Sequence, residues 1–151
     1  MEIERKFLIP CLPEGYDAHP FHQIEQAYLC TEPVVRIRQE DDSFYLTYKG
    51  KGLLSREEYN LPLTREAYAH LLPKADGVVL TKKRYLIPLD GSDHLTIELD
   101  VIEGAFQGMI LAEVEFPDLE TANAFVPPAW FGEDVSMCPE YHNSNLSRRA
   151  L

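Results

Sequence analysis

Charged residues recur two positions apart along this chain, and their sign is sorted from one stretch to the next. Glu2, Glu4 and Lys6 alternate with Ile3 and Phe7, and Arg36 and Arg38 with Val35 and Ile37. Lys49 joins Tyr45 and Thr47 opposite Phe44, Leu46 and Tyr48, while Arg56, Glu58 and Asn60 alternate with Tyr59 and Leu61. Lys82 and Arg84 then alternate with Tyr85 and Ile87, Glu98 and Asp100 with Ile97, Leu99 and Val101, and Glu113 and Glu115 with Val114 and Phe116. Carboxylate pairs such as Glu2/Glu4, Glu98/Asp100 and Glu113/Glu115 are hard oxygen donors suited to Mg²⁺ or Mn²⁺, and Arg and Lys clamp phosphate oxygens. A ligand that needs both is a metal-bound polyphosphate. In such a site one metal bridges phosphate oxygens and a second lowers the pKa of a water that attacks phosphorus.

The elements that carry these residues must be strands, because a period of two places one set of side chains on one face. Eight segments show it: Glu2 to Ile9, Gln23 to Cys30, Val34 to Gln39, Ser43 to Lys49, Arg56 to Leu63, Val78 to Leu89, Leu95 to Ile102 and Ile110 to Phe116. Turn residues separate several of them, at Glu40-Asp41-Asp42, Gly50-Lys51-Gly52 and Asp90-Gly91-Ser92-Asp93, so hairpins are expected. On any one strand a charged face is most simply a solvated face with cross-strand ion pairs. Seven carboxylates and seven cations repeated over nearly every segment point instead to a charged interior of a closed barrel. Burying so many ions costs several kcal/mol each, so that interior must be wet or filled by a complementary ligand. The apolar outer face would then need covering by helices.

Two helices are expected. Thr64 can cap one running to Leu72, with Ala67, Tyr68, Leu71 and Leu72 on its apolar face and Pro73 ending it. A second spans Asp118 to Phe125, with Leu119, Ala122 and Phe125 at helical spacing and Pro127-Pro128 as the stop. A third short helix is expected from Ser144 onward. The fold class is therefore mainly β with a few helices, an eight-stranded antiparallel barrel in a single domain over residues 1–151.

Composition narrows the partners. The 25 acidic and 14 basic residues give a formal net charge of -11, which repels nucleic acid and anionic membrane at long range. The expected partner is a small polyphosphate or triphosphate, with no nucleic acid and no membrane; a homodimer is left open. Cys11, Cys30 and Cys138 have no metal-ligand spacing, which argues for reduced thiols in the cytoplasm. The first residues, Met1-Glu2-Ile3-Glu4, do not read as a signal peptide, and no apolar run has the length of a membrane span. The five histidines are scattered, and Trp130 reads as a packing residue at a turn.

The sequence resembles the CYTH-domain proteins, the triphosphate tunnel metalloenzymes, along essentially its whole length. The resemblance starts at the ExExK of Glu2-Ile3-Glu4-Arg5-Lys6 and continues through Val35-Arg36-Ile37-Arg38, Thr47-Tyr48-Lys49-Gly50 and Ser55-Arg56-Glu57-Glu58-Tyr59. Lys82-Lys83-Arg84-Tyr85, Ile97-Glu98-Leu99-Asp100, Ala112-Glu113-Val114-Glu115-Phe116 and Tyr141-His142-Asn143-Ser144-Asn145-Leu146 follow in the family's order. His142 stands where the family often has an aromatic residue.

The resemblance implies an eight-stranded tunnel. Lys6, Arg36, Arg38, Lys49, Lys82 and Arg84 would form its phosphate clamp, with Arg56 beside them. Glu2, Glu4, Asp100, Glu113 and Glu115 would hold metal, Mg²⁺ or Mn²⁺ and two ions in the active complex, while Glu58 and Glu98 would line the tunnel. Lys6, Glu4 and Glu113 would carry catalysis, Lys6 by orienting the attacking water. The compact chain resembles the short bacterial branch that hydrolyses inorganic triphosphate to pyrophosphate and phosphate. The rival readings are an adenylate cyclase using the same clamp and a non-catalytic polyphosphate- or nucleotide-binding module. Gln26 and Tyr28 have either a tunnel-facing or a structural role.

Overall fold

The computed structural model describes residues 2–52, 54–89, 94–104 and 108–141. The third expected helix and His142 lie outside these residues. Nine strands form the architecture: β1 (Glu2–Leu8), β2 (Phe21–Thr31), β3 (Val34–Glu40), β4 (Ser43–Lys49), β5 (Ser55–Arg56), β6 (Glu58–Pro62), β7 (Asp76–Pro88), β8 (Thr96–Glu103) and β9 (Ile110–Glu115). They join in one antiparallel sheet of order β5-β1-β9-β8-β7-β2-β3-β4-β6. The two ends of that order, β5 and β6, are neighbours in sequence, separated by Glu57 alone. One bent segment therefore pairs with β1 through Glu2↔Arg56 and with β4 through Lys49↔Glu58, and the sheet curls into a nearly closed barrel. The ninth strand is thus the expected Arg56-to-Leu63 segment broken at Glu57, whose carbonyl still accepts from the Gly50 N–H at 2.9 Å.

The alternation sorts side chains as expected, with apolar residues outside. One outer cluster gathers Phe7, Ile97, Leu99, Ala112, Val114 and Phe116 under the chain that follows β9. In that chain α2 (Leu119–Ala124) is capped by Asp118, whose side chain accepts from the Thr121 N–H at 2.7 Å. Ala122 is fully buried, but Leu119, the first residue of the helix, stays half exposed. Phe125 and Phe131 close over Phe7, with ring centroids 6.0 and 4.8 Å away. Trp130 packs edge-on against Phe131, as a turn-packing residue should.

Arg5, the outward residue of the first motif, locks this cover down. Its guanidinium donates to the Ala122 and Phe125 carbonyls, both at 3.0 Å, and pairs with Asp134 at 2.7 Å. The opposite side is covered by α1 (Arg65–Leu71), capped by Thr64, which lays Tyr68 on Phe44, Ile37 and Ala27. Pro73 does not end this helix abruptly. It sits inside a 3-10 turn, Leu72–Lys74, where its missing N–H costs nothing. Cover is incomplete, since Tyr59 and Leu61 on β6 are both 58% exposed. Among the described residues no helix is long and apolar enough to cross a membrane.

Candidate active site

The inward row of every strand faces one cavity of about 380 Å³. Twelve of the fourteen charged residues singled out by spacing line it: Glu2, Glu4, Lys6, Arg36, Arg38, Lys49, Arg56, Glu58, Arg84, Glu98, Glu113 and Glu115. Lys82 and Asp100 have the right phase but lie deeper, 1% and 0% exposed, behind the lining. Tyr28, Tyr45, Asn60 and Glu40 complete the polar wall. Glu40 escaped sequence reading because it was grouped with the Asp41-Asp42 turn, yet it is in phase with Arg36 and Arg38 and β3 runs through it. A second, more open cavity of about 760 Å³ shares Glu98 and Glu115 with the first and is lined by Leu86, Leu95 and Phe116.

Cross-strand register decides who pairs with whom. Lys6 stands opposite Glu113 and its ammonium lies 3.0 Å from that carboxylate, with a second bond to the Tyr141 carbonyl at 3.2 Å. Burial alone would lower the Lys6 ammonium, but Glu113 and Glu4 raise it above its ordinary value. Burial would likewise raise Glu113, and the surrounding cations, Lys6 first, hold it well below the carboxylate range. Both groups are therefore ionised.

Arg84 stands opposite Asp100 and holds it with two bonds of 2.8 and 2.9 Å, while donating to Glu98 at 3.0 Å. Lys82 donates to the same Asp100 at 2.7 Å. Burial opposes ionisation of Asp100, yet Arg84 and Lys82 keep its pKa low; burial also pulls Lys82 down to about 7 against the attraction of Asp100. Lys49 reaches Glu2 at 3.0 Å and Glu58 at 3.5 Å, and Arg56 reaches Glu2 at 3.4 Å.

Two arginines and one carboxylate are treated differently. Arg36 donates to the Thr47 hydroxyl at 3.1 Å, and its buried Nε has no hydrogen-bond partner among the described residues. Burial and the neighbouring Arg38 lower its pKa from the usual arginine value. Arg38 is held by Gln26 and the Tyr45 hydroxyl, with Glu40 no nearer than 3.8 Å. Among the described residues Arg36 has no ion-pair partner and Arg38 has only the 3.8 Å contact with Glu40. Glu4 is the reverse case: it has no hydrogen-bond or ion-pair partner among the described residues, and burial, then Glu113 and Glu2, push its pKa up to about 8.

The register also sets like charges abreast, Glu4 opposite Glu115 and Glu98 opposite Glu113, an arrangement that destabilises a sheet unless a cation lies between. Burial and the carboxylates Glu2 and Glu98 raise Glu115 as well. Among the described residues no three His, Cys, Asp or Glu side chains already converge on one point, because Glu2, Asp100 and Glu113 are drawn to lysines and arginines. The donor set nevertheless fits a hard divalent cation at Glu4 and Glu115, two cavity-lining acids without an ion-pair partner among the described residues.

A family model described as the CYTH domain matches residues 1–135. An inorganic triphosphatase of Nitrosomonas europaea is 38% identical over 149 residues, covering 97% of this chain and 96% of the relative. An inorganic triphosphatase of Acetivibrio thermocellus is 34% identical over 152 residues, with 96% and 92% covered. The crystal structure of an inorganic triphosphatase superposes with a TM-score of 0.72 at 34% identity, over 97% of this chain and 94% of that one. A Bacillus halodurans structure at 18% identity shares the fold, with a TM-score of 0.64 over 82% and 84% of the two chains.

Proposed function

The chain belongs to the CYTH domain family, and from that premise we propose that it hydrolyses inorganic triphosphate to pyrophosphate and phosphate inside the barrel. The observation that carries this reading is the pair Arg36 and Arg38, buried in the cavity wall and held mainly by neutral oxygens, with Glu40 at 3.8 Å from Arg38 the nearest ion-pair partner of either among the described residues. Two such cations hold an anion of high charge density, and a bare triphosphate brings one without any organic group to recognise. Both curated relatives are named inorganic triphosphatases, which favours hydrolysis over cyclisation.

Residues 1–151 act as one domain, in the cytoplasm, on a small polyphosphate rather than on nucleic acid or membrane. Arg36, Arg38, Lys49, Arg56 and Arg84 hold the phosphate chain together with Lys6. Lys82 and Asp100 are read as the support that aims Arg84. A divalent metal belongs to the family's chemistry; as Mg²⁺ or Mn²⁺, two ions in the active complex, it would be held by Glu4 and Glu115 with Glu2 and Glu113. When bound, it supplies charge neutralisation at the phosphate oxygens and acidifies a water. The new bond joins a water oxygen to a terminal phosphorus, the bridging P–O bond breaks, pyrophosphate leaves, and the water's protons are carried off on the product phosphates or released to solvent.

Lys6 remains an ammonium, so it donates hydrogen bonds to the water or to a phosphate oxygen and takes no proton. Its grip by Glu113 fixes the direction of that donation. The experiment gives the purified protein tripolyphosphate, ATP or thiamine triphosphate with Mg²⁺ or Mn²⁺ and measures orthophosphate, pyrophosphate and cyclic AMP. Orthophosphate and pyrophosphate from tripolyphosphate, lost in Glu4→Gln, are expected. Cyclic AMP from ATP, or no product from any substrate, defeats the reading.

A further inference from the structure

Arg36 and Arg38, whose one ion pair among the described residues is the 3.8 Å contact of Arg38 with Glu40, are not loose; each is gripped at shorter range by a neutral residue that does not itself line the cavity. Gln26 on β2 is fully buried and stands directly opposite Arg38 on β3. Its side-chain oxygen accepts from Arg38 Nε at 3.0 Å and from Nη2 at 2.5 Å. That orientation is fixed, since guanidinium nitrogens can only donate. The Gln26 amide nitrogen faces the Tyr28 hydroxyl at 3.4 Å. One row along, Thr47 on β4 is fully buried and opposite Arg36, whose Nη2 it accepts at 3.1 Å. Its hydroxyl proton is committed to the Asn60 side-chain oxygen at 2.5 Å, which leaves its lone pair for the arginine.

We propose that Gln26 and Thr47 are positioning residues for substrate: they hold Arg38 and Arg36 by neutral oxygens and so add no counter-charge to the two guanidiniums that the triphosphate would meet. This rests on the triphosphatase reading and deepens it. A carboxylate at either position would grip the guanidinium more tightly, as Asp100 grips Arg84, but would cancel the field that attracts the anion. The choice of an amide and a hydroxyl, where burial and a facing arginine would favour an acid for stability alone, is what a substrate-binding cation requires. The lowered pKa of Arg36 agrees with a cation that has no counter-ion at hand.

The test is Gln26→Glu, nearly isosteric, which keeps the acceptor to Arg38 and lets the Tyr28 hydroxyl donate. Steady-state kinetics on tripolyphosphate with Mg²⁺ should show KM raised at least tenfold, kcat changed by less than about threefold, and thermal stability equal or higher. A merely structural glutamine predicts the opposite, unchanged or better KM, and that result overturns the proposal. Loss of kcat at constant KM overturns it too. Should Gln26→Glu fail to fold, Thr47→Val decides: KM should rise fivefold or more and return in Thr47→Ser, and an unmoved KM refutes the idea. Wild-type protein is assayed alongside; if it leaves tripolyphosphate intact, the triphosphatase reading fails, whereas active wild type with an indifferent Gln26→Glu sinks this inference alone.

Discussion

The two walls of the barrel hold their cations by opposite means. Along β1, β7, β8 and β9, Lys6, Lys82 and Arg84 are tied to Glu113, Asp100 and Glu98 at 2.7–3.0 Å. Along β3, Arg36 and Arg38 are tied to a threonine, a glutamine and a tyrosine, with Glu40 no nearer to Arg38 than 3.8 Å, while Lys49 on β4 is paired with Glu2 like the cations of the first wall. A buried ion pair is dear to break because removing one partner strands the other charge in a poor solvent. A charge held by neutral oxygens is under-satisfied from the start and gains most from an incoming anion. The first wall is therefore rigid framework and the second is a docking face, although both read as the same charged alternation. Glu4 is the reverse case in the same cavity: an acid without a cation partner among the described residues, where Arg36 and Arg38 are cations held mainly by neutral oxygens.

Breaking the framework wall should have the largest effect. Asp100→Asn leaves Lys82 and Arg84 buried without their shared counter-charge, and a loss of roughly 3–5 kcal/mol is expected in denaturant unfolding. A change under about 1 kcal/mol would mean that Asp100 is not the anchor of this wall and that the contrast drawn here is false.

Removing a docking cation should cost less and cost something else. Arg38→Ala discards a charge-assisted contact to substrate worth roughly 1.5–3 kcal/mol, so KM for tripolyphosphate should rise about 10- to 100-fold. Its unfolding free energy should fall by less than that of Asp100→Asn, since its nearest partners are neutral and the one carboxylate that loses a cation, Glu40, lies 3.8 Å away and is partly exposed to water. Equal stability losses in the two variants would erase the distinction between the walls.

How much of this was legible in the sequence follows from what spacing encodes. A period of two fixes which face a side chain takes, so the inward rows of β1, β3, β7, β8 and β9 read correctly, and twelve of fourteen charged residues reached the cavity lining. Spacing carries no depth: Lys82 has the same phase as Arg84 yet lies behind it, because depth depends on barrel curvature. Pairing is equally hidden in a single strand. Whether Arg38 meets Gln26 or an acid is decided by the β2–β3 register, so from the sequence Gln26 could be read only as tunnel-facing or structural, and its partner could not be named. The break at Glu57 that closes the barrel was invisible because Arg56 to Leu63 keeps its alternation through the bend.

The smallest effect concerns Glu4, and its sign sharpens the comparison. Its folded pKa of about 8 stands above the ordinary 4.5, so between those values the folded protein holds a proton that the unfolded chain has released. Stability of the metal-free protein must then decline as pH rises from about 4.5 to about 8 and stay low above it. The limiting slope is about 1.4 kcal/mol per pH unit, and water in the cavity should reduce the total to roughly 1–3 kcal/mol. Glu4→Gln removes this decline, so the inactive variant should be the more stable one at pH 8.5 and no more stable at pH 4.5. Added Mg²⁺ should stabilise the wild type at pH 8.5 and do less for the variant, because the ion replaces the missing counter-charge and linkage favours the state that binds it. Parallel stability curves for the two proteins from pH 4.5 to 8.5 would show that Glu4 is already neutralised by its neighbours. The cavity would then hold no acid waiting for a cation.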